Sequence, residues 1–251
     1  MPTGMVQFKI DGANFGAPAA LSGNQAVSEA IASLAVGAHT FSAEYLGDAD
    51  FNTVSSSVEN QSVIKADTSI TLASNLNPSP YGIPVLITAT VTANAPSQAV
   101  PQSGTVQFIV DGIPYGAPVA LNSAGQATKL LPYTALWVGT HNITAVYSGS
   151  ANFNGCTTAE TLYQVVEKGD LSIAVTPSVL DPVYGQDFNL LATVIGNGGV
   201  NPVPTGTVQF VVDGVNFGTP VTLDAAGSAL SNLLAGLAVG PHAVRVEYSG
   251  D

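Results

Sequence analysis

The stretch "GTVQFIVDG", Gly104–Gly112, recurs as "GMVQFKIDG" at Gly4–Gly12 and as "GTVQFVVDG" at Gly206–Gly214. Its reading decides the fold. Val106, Phe108 and Val110 fall on one side of an extended chain, opposite Gln107 and Asp111, which is the period-two pattern of a half-buried strand. Asp111-Gly112 then closes the strand with a hairpin signal, because both central residues of a type I′ turn need positive φ.

The same alternation extends outward from this stretch. Val85, Ile87, Ala89 and Val91 share a face opposite Thr88, Thr90 and Thr92, and His141, Ile143, Ala145 and Tyr147 line up opposite Asn142 and Thr144. "NSAG" closes a second hairpin, and "NPSPYG" breaks the first strand from the second, since proline cannot donate to a ladder. The spacing predicts strands over 68–74, 84–93, 104–111, 113–121, 126–132, 141–148 and 158–166, and no helix. Turn signals about every 8–12 residues suit a β-sandwich.

The chain repeats at the scale of a whole domain. Val6, Val106 and Val208 correspond, as do His39, His141 and His242, Tyr45, Tyr147 and Tyr248, and Tyr81-Gly82 with Tyr184-Gly185, at offsets of 100 to 103 residues. Three units follow: a partial repeat at 1–66 lacking its first two strands, a complete one at 67–168, and a partial one at 169–251 lacking its last strand. Joining residue 251 to residue 1 would still leave about 54 residues, the equivalent of 49–102, missing from one repeat. A section of a longer tandem protein explains both ends more simply than strand exchange does.

Composition narrows the function. Of 251 residues 46% are hydrophobic and 9% charged, with 26 Gly, 16 Pro and a net charge of −12; disordered chains are poor in apolar residues and rich in charge. Five scattered basic residues cannot neutralise a phosphate backbone, so no nucleic-acid partner is expected. No run of 18 apolar residues is present, so no membrane insertion of this segment is expected. Cys156 is the only cysteine and allows no intrachain disulfide.

The series "KADTSITL…NPSPYGIPV…GTVQFIVDG…GAPVAL…VGTHNITAVYSGSANFNG" resembles the bacterial Ig-like repeat domain of the group-3 type, over essentially the whole chain. The resemblance implies all-β architecture, tandem immunoglobulin-like β-sandwiches in large secreted or surface-anchored proteins, and no catalysis. Signal and anchor, if any, would lie outside this segment.

Chemistry-bearing residues do not gather into a catalytic pattern. His39, His141 and His242 sit in separate domains, so they cannot share a metal ion; each begins an inward row, where its ring would close the core and bond a turn backbone. No spacing fits a zinc site, no Gly-x-Ser-x-Gly elbow or paired carboxylates mark a hydrolase, and the glycines sit in hairpins instead of phosphate-binding loops. No enzyme activity and no cofactor are expected. Asp48 and Asp50 in "GDADFN" are calcium candidates, set against solvated turn acids. Tyr133 and Trp137 in "LPYTALWVG" form a candidate ligand platform, set against a tryptophan plugging the sandwich edge; the other repeats carry Ala35 and Ala238 there. Asn142 and Asn60 open glycosylation sequons that chance also supplies.

The linkers carry more information. Six residues separate Val63 from Ile70, and six separate Val166 from Ile173, too few for a floppy tether. Strand direction places the turns at Gly82, Gly112 and Gly185, with His39, His141 and His242, at the pole where the chain leaves each repeat. There they are expected to meet loops of the next repeat, including "ANAPSQAVPQS". The reading is a non-catalytic structural segment of an extracellular stalk, fibre or surface array, partnered by neighbouring repeats and possible copies of itself in a filament. The alternatives are an adhesin or carbohydrate-binding module, and a subunit polymerising by β-strand donation through exposed edges.

Overall fold

The computed structural model describes residues 1–196 and 202–250. In the first repeat β1 (Met5–Ile10), β2 (Ala13–Ala20), β3 (Gly37–Tyr45), β4 (Val54–Ser55) and β5 (Glu59–Val63) make one antiparallel sheet, ordered β2-β1-β3-β4 with β5 also on β3. The middle repeat comprises β6 (Thr68–Ser74), β7 (Ser79–Pro80), β8 (Val85–Ala93), β9 (Thr105–Val110), β10 (Ile113–Pro114), β11 (Val119–Ala120), β12 (Gln126–Leu131), β13 (Gly139–Tyr147), β14 (Cys156–Thr157) and β15 (Leu162–Glu167). Sheet β12-β8-β6 faces sheet β10-β9-β13-β15-β7, with β11 and β14 attached to β9 and β13. The third repeat has β16 (Leu171–Pro177), β17 (Leu190–Gly196), β18 (Thr207–Val212), β19 (Val215–Thr222), β20 (Ser228–Leu230) and β21 (Val244–Tyr248) in sheets β16-β17-β20 and β19-β18-β21.

The middle repeat is a two-sheet sandwich, as the alternation predicts. Val85, Ile87, Ala89 and Val91 of β8 meet Val106, Phe108, Ile143, Ala145 and Tyr147, all at most 1% exposed. The third repeat builds its own core around Leu190, Ala192, Val194, Val208 and Phe210. The first repeat does not: Val6, Phe8, Ile10, Phe41, Ala43 and Tyr45 are only half-buried.

Two of the expected strands are interrupted: 113–121 splits into β10 and β11, and 158–166 forms a strand only from Leu162, after the separate pair Cys156–Thr157. Other segments also differ from a simple strand-and-turn reading. In the first repeat, residues 26–35, the counterpart of β12, form no strand. In the middle repeat β12 pairs solely with β8, and without such a neighbour the segment has no ladder to join. Ser79–Pro80 is a short strand as well as a break, pairing in parallel with Val166 and Glu167 at the sheet edge. Proline is tolerated there because its missing N–H faces no partner, and the next amide, Tyr81 N–H, donates to the Glu167 carbonyl at 2.7 Å. Tyr133–Ala135 forms one 3-10 turn in a stretch read as loop.

Gln107 has a different role from the wet-face residue its parity suggests. Its Nε2 donates to the carbonyls of Phe108 (2.8 Å) and Gly116 (3.1 Å), pinning the hairpin that follows. Gln7 bonds Phe8, Phe15 and Gly16, and Gln209 bonds Phe210, Phe217 and Gly218, in the same way. In the outer repeats the pinned hairpins shift register between Val6 and Phe8 and between Val208 and Phe210. An irregular ladder leaves carbonyls without strand partners, and the glutamine amide supplies the donor.

Candidate functional site at the repeat junctions

The most elaborate polar arrangement in each repeat begins at the hairpin turn. Asp111 and Gly112 hold φ of 49° and 81°, and the corresponding pairs Asp11-Gly12 and Asp213-Gly214 hold nearly the same values. Aspartate tolerates this left-handed region better than most residues, and glycine enters it without penalty. The turn aims the Asp111 carboxylate at the start of β13: Oδ1 accepts the Asn142 N–H at 2.8 Å, and Oδ2 lies 2.7 Å from His141 Nδ1. His141 Nε2 lies 2.9 Å from the Trp137 carbonyl, four residues earlier. Gly139, at φ 144°, lets the intervening loop fold back on the ring.

The other repeats reproduce this clamp. His39 joins Asp11 Oδ2 (2.8 Å) to the Ala35 carbonyl (2.9 Å), and His242 joins Asp213 Oδ2 (2.6 Å) to the Ala238 carbonyl (3.0 Å). The His141 side chain is fully buried, whereas those of His39 and His242 are 13% and 22% exposed. Hydrogen bonds from the Thr40 amide and then His39 hold the Asp11 carboxyl below its ordinary range. His242 and the Ala243 amide do the same for Asp213. At Asp111 burial works against ionisation, and the bonds from His141 and Asn142 outweigh it. The aspartate bonds, aided by the Ala35 and Ala238 carbonyls, raise the pKa of His39 and His242.

Two clefts lie where successive repeats meet. One is lined by Leu34 and Val36 of the first repeat together with Asn94, Pro96, Val100 and Gln102 of the second. The other is lined by Tyr81, Trp137 and Val138 of the second repeat with Val203, Pro204 and Tyr248 of the third. The loop that His141 holds thus carries two cleft residues. The first linker is bonded into the middle repeat: Ala66 N–H donates to Asn152 O (3.0 Å), Asn154 N–H to Ala66 O (2.9 Å), and Lys65 Nζ to Ser150 O (2.7 Å).

The aromatic candidates part company. Trp137 is 64% exposed and stands edge-on to His141 with ring centroids 4.4 Å apart. Tyr133 lies in the 3-10 turn, and the tyrosine that shares the tryptophan's cleft is Tyr81. Gly82 and Gly185 hold positive φ of 94° and 81° in the turns after Tyr81 and Tyr184. Parity alone would not have found Tyr81, because the cleft arises between segments distant in sequence.

Asp48 is engaged by the protein itself. Oδ2 accepts from the Thr3 amide (2.7 Å) and the Tyr45 hydroxyl (2.7 Å), and Oδ1 from the amides of Asp50 and Phe51 (2.9 Å each). These donors, Thr3 first and then Tyr45, hold its carboxyl well below the usual carboxylate range. Asp50 contributes its backbone amide to this loop. Among the described residues no three or more His, Cys, Asp or Glu side chains gather around one point.

The solved structures that this chain is similar to include fibronectin(III)-like modules of CbhA from Clostridium thermocellum, 18% identical over 70% of this chain and 83% of that one, at a TM-score of 0.29. The Escherichia coli adhesin FdeC is 14% identical over 86% of this chain and 70% of that one, at 0.35. Extracellular domains 3–5 of Drosophila OTK are 15% identical over 98% and 84%, at 0.29. A comparison with curated proteins found no match. The profile of the bacterial Ig-like domain (group 3) matches residues 1–64, 71–166 and 175–251, and the chain therefore belongs to that family.

Proposed function

We propose that this chain is a non-catalytic structural segment of an extracellular stalk, fibre or surface array, in which each Ig-like repeat stiffens the next. The observation that carries the reading is the linker at Lys65–Ala66, which is hydrogen-bonded into the middle repeat at Ser150, Asn152 and Asn154. These bonds hold the linker to the repeat that follows it and shorten the span left free between the two repeats. The clefts that pair Leu34 with Val100 and Trp137 with Pro204 support the same reading. The invariant polar groups of each repeat, Gln107, Asp111 and His141, are engaged in pinning turns, which suits a load-bearing module better than an active centre. Small-angle scattering on a chain of two complete repeats tests it. A narrow distribution of interdomain angles is expected, and a broad one would sink the proposal.

A second reading is favoured by the exposure of Trp137. An aromatic face 64% exposed beside Tyr81 in a cleft suits stacking on a sugar ring, as in an adhesin or carbohydrate-binding module. Glycan-array binding that disappears in Trp137→Ala with the fold intact would select this reading.

A further inference from the structure

We infer that each repeat is locked by a histidine that carries both ring protons, and that loss of one proton releases the loop leading into the junction. The argument rests on what surrounds the ring. A neutral imidazole has one N–H donor and one bare nitrogen that accepts. His141 Nδ1 faces Asp111 Oδ2 at 2.7 Å, and Nε2 faces the Trp137 carbonyl at 2.9 Å. Both oxygens are acceptors, since an ionised carboxylate and a backbone carbonyl have no proton to give. Either neutral tautomer therefore sets one nitrogen lone pair against an oxygen lone pair, inside a fully buried side-chain site. Only the doubly protonated ring completes both bonds.

A proton on the aspartate in place of the ring would satisfy the first contact, but the surroundings oppose it. Asp111 Oδ1 accepts the Asn142 amide, and the carboxyls of Asp11, Asp111 and Asp213 are all held below their ordinary range. His39 and His242 face the same two kinds of acceptor as His141. The same ring orientation recurs in all three repeats.

Few other ionisable groups face these rings. Beside His141, β15 places neutral Gln164 directly opposite, with Tyr163 and Glu167 at the outward positions. Strands β6 and β9 carry no charged residue, and the loop contributes Tyr133. Around His39, Gln61 lies opposite on β5 and Glu59 sits opposite Phe41, while Lys9 is paired with Glu44. His242 shares a cavity with Asp181 and Tyr184, and Arg245 is paired with Glu247. In each case the clamp aspartate is the ion-pair partner of the ring.

The consequence is mechanical. Deprotonation breaks either the bond to the turn or the bond to the loop. In the middle repeat that loop bears Trp137 and Val138, which line the cleft against Val203 and Pro204. In the first it bears Leu34 and Val36, which line the cleft against Pro96 and Val100. Mildly acidic conditions keep the poles locked, and alkaline conditions loosen them.

The test is made on the 251-residue chain. Nitrogen NMR at about pH 7 is expected to show two protonated nitrogens in the rings of His39 and His242. As pH rises from about 6 to about 9, the intrinsic-rate-corrected protection of the Thr40 and Ala243 amides is expected to fall, by up to about tenfold per unit between the open-state and closed-state values of the ring. Asp11→Asn is the decisive variant. Asparagine tolerates the turn and still accepts the Thr40 amide through its oxygen, while its NH₂ can donate to a neutral Nδ1. It should abolish the pH dependence of Thr40 protection and leave that of Ala243 in place. A bare ring nitrogen at neutral pH, flat protection in the parent, or unchanged pH dependence in Asp11→Asn would each overturn the inference. None of these outcomes bears on interdomain angles, so the lock and the stalk fail separately.

Discussion

The Tyr147 hydroxyl donates to the Ser103 carbonyl at 2.6 Å, tying the end of β13 to the residue that precedes the Gly104 stretch. Tyr248 makes the corresponding bond to Thr205, whereas Tyr45 turns to Asp48. The tyrosine ring fills the core while its oxygen closes the sandwich end. Tyr147→Phe keeps the ring and removes one hydrogen bond, so a loss of about 1 kcal/mol is expected in urea denaturation. A loss several times larger would show that the hydroxyl holds more than this contact.

Gln107 is expected to be more sensitive to charge than to truncation. Gln107→Ala removes a donor from carbonyls at 2.8 and 3.1 Å, at a cost of about 1–2 kcal/mol. Gln107→Glu places a carboxylate against those carbonyls and should be the less stable of the two at neutral pH. It should recover on acidification, when the carboxyl regains a proton to donate. Denaturation midpoints at two pH values check the order, and equal stability of the two variants at neutral pH would contradict it.

Core truncations should expose the asymmetry between repeats. Phe108 is 1% exposed, so Phe108→Ala should cost about 3–5 kcal/mol. Phe8, its counterpart, is half-buried in a single-sheet repeat, and Phe8→Ala should cost about 1 kcal/mol. Trp137 fluorescence follows the first change, and hydrogen exchange at the Thr40 amide follows the second. Equal losses would mean that the first repeat's sheet is covered in solution.

The pH response of the outer clamps has a definite sign. His39 and His242 have raised folded pKa values, principally through Asp11 and Asp213. Their contribution is fully present below the unfolded value of about 6.5 and is lost as pH rises through the folded values. The aspartates have lowered folded values, so their contribution is present above about 3.9 and is lost as pH falls through the folded ones. Stability of the outer repeats should therefore be greatest between about pH 4 and about pH 6.5. Hydrogen exchange at Thr40 and Ala243 across this range checks it, and a maximum above neutrality would refute it.

Asp48 gives a prediction about metal. Both its oxygens already accept protein donors, so added calcium should leave the melting of the first repeat unchanged. Asp48→Asn should loosen the 48–51 loop instead, seen as faster exchange at the Phe51 amide. A calcium-dependent rise in melting temperature would show that the ion displaces these bonds.

Strand parity, hairpin turns and the threefold pattern were legible in the sequence because each is a local property. Alternation at Val106, Phe108 and Val110 selects an inward face, and Asp111-Gly112 selects a turn, whatever the remainder of the chain does. Parity placed His141 on the inward row for the same reason, while the aspartate that its ring bonds lay outside any local pattern. Asp111 lies 30 residues from His141 and is brought to it by the pairing of β9 with β13. Gln107 looked solvated because parity does not reveal an irregular ladder beside it. Residues 26–35 carry no local sign that they lack a strand; only the absence of a β8-like neighbour in the sheet order decides that. Ser79–Pro80 joins a sheet because an edge position excuses the missing proline N–H. The sequence by itself determined which residues face inward and where the chain reverses. Tertiary structure alone decided which distant oxygens each polar side chain must satisfy, since burial makes every unpaired donor or acceptor costly.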